Sequence, residues 1–153
     1  MGSQLDPNAA GFELEFFGET DLDDGPVLTW IKRDLSPPQR RALGKAMEHV
    51  LQRLGVGVCG TRFGRQLGSG IFEFRLSESA EEILFQAGLL GEDRVPPEHD
   101  RILLRVFCHA YGRRIVLLLH GYDKGRDPSK RRQEEEIAEA RRRLVNWRKT
   151  QRA

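Results

Sequence analysis

Four side chains in the second half of the chain have types and spacing that suit chemistry on a phosphate ester: Arg75, His120, Tyr122 and Lys124. A guanidinium on the polar face of a strand offers phosphate oxygens a rigid, bidentate partner. His120 titrates near neutral pH, and Tyr122 follows it by two residues. Lys124, crowded by other cations, can have a pKa low enough for proton transfer, or it can simply contact a phosphate. The structural alternatives are an ion pair between Arg75 and Glu73, an ordinary hydrogen-bonded histidine and a solvated lysine.

Further cations lie near these residues in the sequence. Arg105 interrupts an otherwise apolar strand, so it needs either an acidic partner or a ligand, and both explanations stand. Arg126 lies in the predicted loop after the last strand. Three consecutive cations open the final predicted helix, where they oppose the helix dipole, and this favours contact with a polyanion. These three are Lys130, Arg131 and Arg132.

The charge of the chain is unevenly distributed. Residues 1–25 carry a formal charge of −7, whereas residues 124–153 carry +6, although the whole chain has only +2. A basic C-terminal segment indicates a polyanionic partner, either a nucleic acid or an acidic protein. The alternative is a solvated helix face.

A small sheet is predicted to position these side chains. The residues Gly68 and Gly70 bracket a turn, and 121–127 is predicted as a loop. The last two strands meet at a turn around Gly112 and are apolar on both faces, which predicts a central hairpin. The predicted strands are Phe12–Phe16, Ile71–Leu76, Arg101–Cys108 and Arg114–His120.

Helices are predicted before and after these strands. In 36–54, Ser36 is an N-cap, Gln39 completes a capping box and Gly55 ends the helix. Shorter helices are predicted around 27–31 and over 78–90, with a loop over 94–100. Asp127 or Ser129 caps a final helix whose apolar stripe is Ile137, Ala140, Leu144 and Trp147. The expected fold is α+β: a small antiparallel or mixed sheet of about four strands, with two or more N-terminal helices and a C-terminal helix, all on one face.

Composition limits the class of protein. The chain has 153 residues, of which 39% are hydrophobic and 31% charged, and this is typical of one water-soluble domain, here 12–149, with a flexible start and a short tail. The longest purely apolar run, 115–119, is too short to span a membrane, and the acidic N-terminus does not resemble a signal peptide. We therefore expect a cytoplasmic protein with no membrane contact. Cys59 and Cys108 lack metal-ligand spacing, so no metal or cofactor is expected.

Four stretches, in order, resemble one family. The first stretch, 65–75, resembles the family's pattern of leucine, glycine, aromatic residue, glutamate, apolar residue and arginine. The second, 101–106, resembles its next strand. The third, 115–124, resembles its last strand with the following loop, and the fourth, 127–141, its closing helix. Over about 63–149, the chain resembles the RelE/HigB-like toxins of type II toxin–antitoxin systems, in particular the phage-associated branch.

The resemblance implies a RelE-like fold and an endoribonuclease that usually cuts mRNA on the translating ribosome. It also implies a partner antitoxin, often a helix-turn-helix protein. Cleavage by the RNA 2′-hydroxyl requires a proton acceptor, stabilisation of charge on the phosphate and a proton donor to the leaving oxygen. Arg75 is the candidate phosphate stabiliser and Lys124 matches the family's loop lysine, while the general base stays open among His120, Tyr122 and Lys124. Candidate RNA or phosphate contacts are Arg105, Arg126, Lys130, Arg131 and Arg132.

The chain departs from the family pattern in two places. Gly125 stands where the family commonly has a second lysine, and the segment 77–100 is longer than the expected link. Two alternatives therefore remain. One is a ParE-like toxin that inhibits DNA gyrase without cutting RNA, and the other is a catalytically inactive RNA-binding regulator.

Overall fold

The computed structural model describes residues 11–20, 24–77, 85, 88 and 103–152. The predicted helix over 78–90 and the predicted loop over 94–100 lie largely or wholly outside the described residues. The elements in chain order are β1 (Glu13–Phe16), α1 (Pro26–Arg33), α2 (Pro37–Ala46), β2 (Gly64–Gly68), β3 (Ile71–Leu76), β4 (Leu104–Tyr111), β5 (Ile115–Asp123) and α3 (Lys130–Arg152). The α+β class predicted from the sequence is therefore confirmed.

The strands form one mixed sheet in the order β1-β5-β4-β3-β2. β1 runs parallel to β5, and the remaining neighbours are antiparallel. The prediction of about four strands was wrong, because β2 pairs with β3 as a fifth. This edge strand has glycine at both ends and mostly exposed side chains, so it carries no hydrophobic alternation that sequence reasoning could detect.

The central hairpin is confirmed, with different bounds. β4 and β5 pair from Leu104↔Asp123 to Tyr111↔Ile115, so β5 continues through the first three residues, 121–123, of the segment predicted as a loop. Gly112 in the turn has φ +56°, a conformation that glycine adopts without steric cost. His120 and Tyr122 consequently lie inside a paired strand, which fixes their positions more firmly than a loop would.

The first two helices follow their predicted signals. The Ser36 hydroxyl accepts a hydrogen bond from the Gln39 amide while the Gln39 side chain accepts one from the Ser36 amide, forming the predicted capping box. α2 then continues through a π-helical turn (Met47–Leu51) and Gln52–Leu54 into a 3₁₀ helix (Gly55–Gly60). Gly55 has φ +53°, and a Cβ there would lie 2.6 Å from the Phe12 ring, so glycine is needed at this junction.

The C-terminal helix begins after a serine cap. The Ser129 side chain accepts from the backbone amide of Arg132 at 3.2 Å, and Asp127 accepts from the Ser129 amide at 3.1 Å. Thus Ser129 is the cap, with Asp127 ordering the turn before it. Within the helix, Glu139 and Arg143, four residues apart, form an ion pair at 3.0 Å.

Helices pack on both faces of the sheet, so the prediction that they share one face was wrong. One core lies between the sheet and the α1/α2 region, where Phe72, Phe74 and Val106 contact Leu43 and its neighbours. A second, smaller core lies on the other face, where Phe107 and other sheet residues pack against α3. An apolar stripe on a helix shows that the helix packs against something, but it does not show which face of the sheet receives it. No helix within the described ranges is long and apolar enough to cross a membrane.

Candidate functional site

Two rows of side chains cross the sheet on the face that packs against α3. The strand register aligns the first row as Arg65, Glu73, Phe107 and His120. The second row, next along the strands, is Arg75, Arg105 and Tyr122. Directly opposed side chains in such rows have Cβ atoms about 4.5–5.5 Å apart, so each row forms a set of neighbours.

Glu73 is the centre of these charges. Its side chain is 1% exposed, and its carboxylate lies 3.1 Å from Arg105 Nε, 3.4 Å from Arg75 Nε and 3.7 Å from Arg65 Nη2. A buried carboxylate needs compensating charge, which these guanidiniums provide. One negative charge nevertheless faces three positive charges. The group formed by Arg65, Arg75, Arg105, Lys124 and Glu73 is called the cationic cluster below.

Arg105 occupies the buried part of the cluster. Its side chain is 4% exposed, and besides the ion pair with Glu73 its Nη1 donates to the Leu104 carbonyl at 3.2 Å. Burial lowers the pKa of the Arg105 guanidinium, and the neighbouring Glu73 carboxylate opposes that effect. A guanidinium keeps its charge in proteins, so the ion pair is required. Of the two explanations that the sequence left open, this placement favours the structural ion pair.

Arg75 differs from Arg105 in its exposure. A third of its side chain (33%) reaches solvent while its Nε stays near Glu73. Arg75 and Arg105 are directly opposed across β3 and β4, an arrangement of like charges that is destabilising without an anion between them. Arg75 is thus held by the buried carboxylate and remains accessible to an anion from solvent.

Lys124 follows the last residue of β5. Its backbone amide donates to the Leu103 carbonyl at 2.7 Å, so it continues the pairing with the β4 side of the hairpin. The pKa of Lys124 is lowered, first by burial and then by the positive charges of Arg105, Arg75 and Arg65, against the opposing effect of Glu73. These electrostatic neighbours assign Lys124 to the same cluster. A lowered pKa makes the amine a better proton acceptor near neutral pH.

Tyr122 lies beside Arg105 and is only 3% exposed. Burial, and secondly the Glu73 charge, raise the pKa of Tyr122 to about 12. Its hydroxyl therefore keeps its proton at neutral pH and is available as a hydrogen-bond donor to a ligand. The ring stacks beside Phe107, with centroids 6.0 Å apart, and this contact fixes the position of the hydroxyl.

Unsatisfied polar atoms collect at this place. Within the described residues, five buried side-chain nitrogen or oxygen atoms have no hydrogen-bond partner, and four of them belong to these two rows. The ion pairs of Arg75 and Arg105 with Glu73 lack hydrogen-bond geometry at these atoms. Buried polar groups are usually satisfied, so such a concentration suits a site that a ligand completes. The four atoms are Glu73 Oε2, Arg75 Nε, Arg105 Nε and Tyr122 Oη.

His120 lies in the first row but is engaged elsewhere. Its Nε2 hydrogen-bonds to Glu136 Oε2, and Arg143 Nη1 donates to its Nδ1 at 2.7 Å. Burial lowers the pKa of His120, and the carboxylates of Glu136 and Glu139 oppose this effect. A neutral ring with the proton on Nε2 satisfies both contacts. His120 therefore joins β5 to α3, and either ring nitrogen would have to leave its partner before it could act on a substrate.

The other predicted RNA contacts lie along β5 and the start of α3. Arg132 lies over the Tyr122 ring at 5.9 Å and pairs with Glu136 at 2.8 Å. Arg126 pairs with Asp123 at 3.6 Å and donates to the Asp34 carbonyl at 3.4 Å. Lys130 and Arg131 are exposed in the first turn of α3, where Arg131 pairs with Glu135 at 3.1 Å. The structure thus brings Arg75, Lys124 and Tyr122 together and leaves Lys130 and Arg131 at the surface.

Two members of the cluster were missed as functional residues. Arg65 lies in the first of the four stretches that resemble the family, but the sequence does not predict β2 and so does not show the pairing of Arg65 with Glu73. Glu73 was considered only as a partner for Arg75, whereas it contacts three arginines. The signal available in the sequence was the alternation of Glu73 and Arg75 on the polar side of an apolar strand.

No group of three or more histidine, cysteine, aspartate or glutamate side chains in the described part of the chain is arranged to hold a metal ion. Comparisons of the chain with models of known families, with curated proteins and with solved structures found no match. The chemistry of the cationic cluster is accordingly inferred from its own residues.

Proposed function

We propose that this protein is a RelE/HigB-like toxin, a metal-independent endoribonuclease that cuts mRNA on the translating ribosome in the cytoplasm. The observation that carries this proposal is the surplus of positive charge around Glu73, where one carboxylate faces three guanidiniums. A phosphodiester supplies the missing negative charge and accepts several hydrogen bonds. The partial exposure of Arg75 and Arg65 gives an anion a route to the cluster.

In the proposed reaction, the 2′-oxygen of the RNA attacks the adjacent phosphorus and the bond from phosphorus to the 5′-oxygen breaks. A 2′,3′-cyclic phosphate and a 5′-hydroxyl result. Arg75 stabilises the negative charge that grows on the phosphate oxygens. Arg105, through its ion pair with Glu73, keeps that carboxylate in place beside Arg75.

Proton transfer falls to Lys124 and Tyr122 in this proposal. The lowered pKa of Lys124 suits it to accept the proton of the 2′-hydroxyl. The Tyr122 hydroxyl, whose pKa is raised to about 12, stays protonated at neutral pH and in this proposal donates its proton to the departing 5′-oxygen. His120 is assigned a positioning role, because both ring nitrogens have partners on α3.

The remaining features fit the same proposal. The helices α1 and α2 before the central hairpin, α3 after it and a mixed sheet are compatible with a RelE-like fold. The fifth strand departs from the expected number. The exposed cations at the start of α3 suit contacts to ribosomal or messenger RNA backbone. A cognate antitoxin, expected to be a helix-turn-helix protein, would neutralise the toxin by covering the cationic cluster.

The test is to incubate the purified protein with translating ribosomes and map new mRNA 5′ ends. We expect cuts with the wild-type protein and a rate about 10²–10³-fold lower with Arg75→Ala, the usual effect of removing one stabiliser of transition-state charge. Lys124→Ala should reduce the rate by about 10²-fold or more, the usual contribution of a general base. Arg113→Ala is the matched control, since Arg113 is an exposed arginine in the β4–β5 turn, at the other end of the hairpin.

Cleavage by folded Arg75→Ala at the wild-type rate would contradict the assignment of Arg75. Loss of gyrase supercoiling without any RNA cut would instead identify a ParE-like toxin. RNA binding that weakens steeply with salt, without cut products, would identify an inactive RNA-binding regulator.

A further inference from the structure

A cavity of about 450 Å³ lies at the edge of β5, on the side away from β4. β1 pairs with β5 only from Ile115 to Leu118, so among the described residues no strand pairs with 119–123 on that side. Trp30 of α1 and Asp34, which follows the last residue of α1, line one wall, and α3 residues line another. The volume lies within the range of about 300–1,000 Å³ that is typical of small-molecule sites.

The charge of this cavity differs from that of the cationic cluster. Each of its three arginines has a carboxylate partner within 4 Å, whereas the cluster has one carboxylate for several cations. The pairs are Arg126 with Asp123, Arg132 with Glu136 and Arg143 with Glu139. A lining whose charges are already paired suits a neutral polar group better than a second phosphate.

Trp30 supplies an aromatic surface in this cavity. Its ring packs directly on Gly121, where a Cβ would lie only 2.5 Å away, so glycine lets the ring lie against the strand. Trp30 is half-buried and also lines an adjoining cavity of about 370 Å³. Nucleobases stack on side chains of this type without regard to their identity.

Asp34 supplies a hydrogen-bond acceptor. It is exposed at the C-terminal end of α1 and lines both cavities. Among the described residues no side chain forms an ion pair or hydrogen bond with its carboxylate, although its carbonyl accepts from Arg126 at 3.4 Å. A carboxylate can accept from two N–H groups on one edge of guanine, the ring N–H and the exocyclic amino group.

We infer that this cavity binds a guanine base of an RNA whose phosphate lies at the cationic cluster, with Trp30 as the stacking surface and Asp34 as the acceptor. The inference rests on the proposed function for its substrate. The cluster centres on β3 and β4, which lie one and two strand spacings from β5, so the separation is ~5–10 Å. This separation is comparable with the length of one nucleotide, so a bound strand reaches both places.

The test uses Trp147→Phe protein, in which Trp30 is the one remaining tryptophan. Its fluorescence is titrated with GMP, with IMP, which lacks the exocyclic amino group, and with ribose 5-phosphate, which lacks the base. We expect quenching by GMP at about tenfold lower concentration than by IMP, since one hydrogen bond to a charged group separates the two ligands. Ribose 5-phosphate should not quench. Equal affinities for GMP and IMP, or no quenching by either, would overturn the inference.

Asp34→Ala provides the matched variant, because an exposed carboxylate can be removed with little effect on folding. It should bind GMP and IMP equally; retained discrimination would exclude Asp34 as the acceptor and overturn the inference.

A 2′-O-methylated trinucleotide containing one guanine then tests whether the cavity takes its base from RNA or from a free nucleotide. We expect Arg75→Ala to weaken trinucleotide binding at least tenfold, and an unchanged affinity would overturn the link between cavity and cluster.

The failure of this inference can be distinguished from the failure of the proposed function. If the protein distinguishes GMP from IMP but never cuts RNA, the base site stands and the nuclease proposal fails. If the protein cuts mRNA on ribosomes but does not distinguish GMP from IMP, the nuclease proposal stands and the base site fails.

Discussion

The two faces of the central sheet bury their side chains in different ways. On the α1/α2 face, residues such as Phe72, Phe74 and Val106 fill the core and are at most 2% exposed. On the α3 face, apolar packing covers only part of the sheet. The two rows of side chains on this face contain Glu73 and Arg105, the two buried charged side chains of the described residues. Packing alone explains the first face. The second retains charges whose burial costs free energy, and such positions are commonly functional.

The difference is visible within the single strand β3. Phe72, Phe74 and Leu76 point to one core, while Glu73 and Arg75 point to the other side. Adjacent residues therefore belong to two environments, one apolar and one ionic. Substitutions at neighbouring positions of this strand should separate stability from activity.

The largest expected effect is that of Glu73→Gln. Removing one partner of a buried ion pair costs about 3–5 kcal/mol, because the Arg105 charge is left uncompensated. Urea unfolding should show this loss, whereas Glu48→Gln, at an exposed position, should change the free energy of unfolding by less than about 0.5 kcal/mol. Equal stability of the two variants would mean that the cluster does not need its carboxylate.

Phe74→Leu tests the face that packs against α1 and α2, called the apolar face below, at the position after Glu73. Phe74 is fully buried and stacks with Phe63 at a centroid distance of 6.3 Å. The smaller side chain should lower the free energy of unfolding by about 1–2 kcal/mol, mainly through lost packing. RNA cleavage, measured at a temperature where the variant is folded, should remain at the wild-type rate. A loss of cleavage comparable to that of Arg75→Ala would show that the two faces are not independent.

How far the sequence predicts the molecule also differs between the faces. The alternation of Phe72, Phe74 and Leu76 identified β3 with its observed bounds, and the Ser36–Gln39 capping box placed the start of α2. These signals are local, since each depends on residues a few positions apart. The apolar face is built largely from such signals, and its strands were predicted.

The face that packs against α3, called the ionic face below, depends on contacts between distant segments. Glu73 meets Arg65 through the register of β2 and Arg105 through that of β4, and no local pattern specifies either register. His120 meets Glu136 and Arg143 because α3 crosses this face. Sequence reasoning therefore proposed Arg75, Lys124 and Tyr122 as candidates, but the carboxylate that organises them could be recognised only in the structure.

The double variant Glu73→Met with Arg105→Met makes the ionic face resemble the apolar one. Replacing both members of a buried ion pair with apolar residues of similar size is often neutral or stabilising, so we expect a free energy of unfolding within about 1 kcal/mol of wild type or above it. Cleavage should fall as far as in Arg75→Ala, because Arg75 has lost the carboxylate that holds it. A stable double variant that still cuts RNA at the wild-type rate would remove Glu73 from the proposed site.

The smallest effect concerns pH and His120. The native pKa of this histidine is lowered by burial, whereas in the unfolded chain it titrates near its ordinary value of about 6.5. The unfolded state therefore binds more protons as the pH falls through about 6.5, and stability decreases from there down to the lowered native pKa. His120→Gln can keep both hydrogen bonds, to Glu136 and from Arg143, without titrating.

Urea unfolding at pH 7.5 and pH 5.5 should accordingly show a smaller loss of stability for His120→Gln than for wild type. The groups around His120 limit the size of the effect, because Glu136 and Glu139 favour its protonated form while Arg143 opposes it. If His120→Gln and wild type lose stability equally, burial between β5 and α3 does not lower the pKa of this histidine in the folded protein.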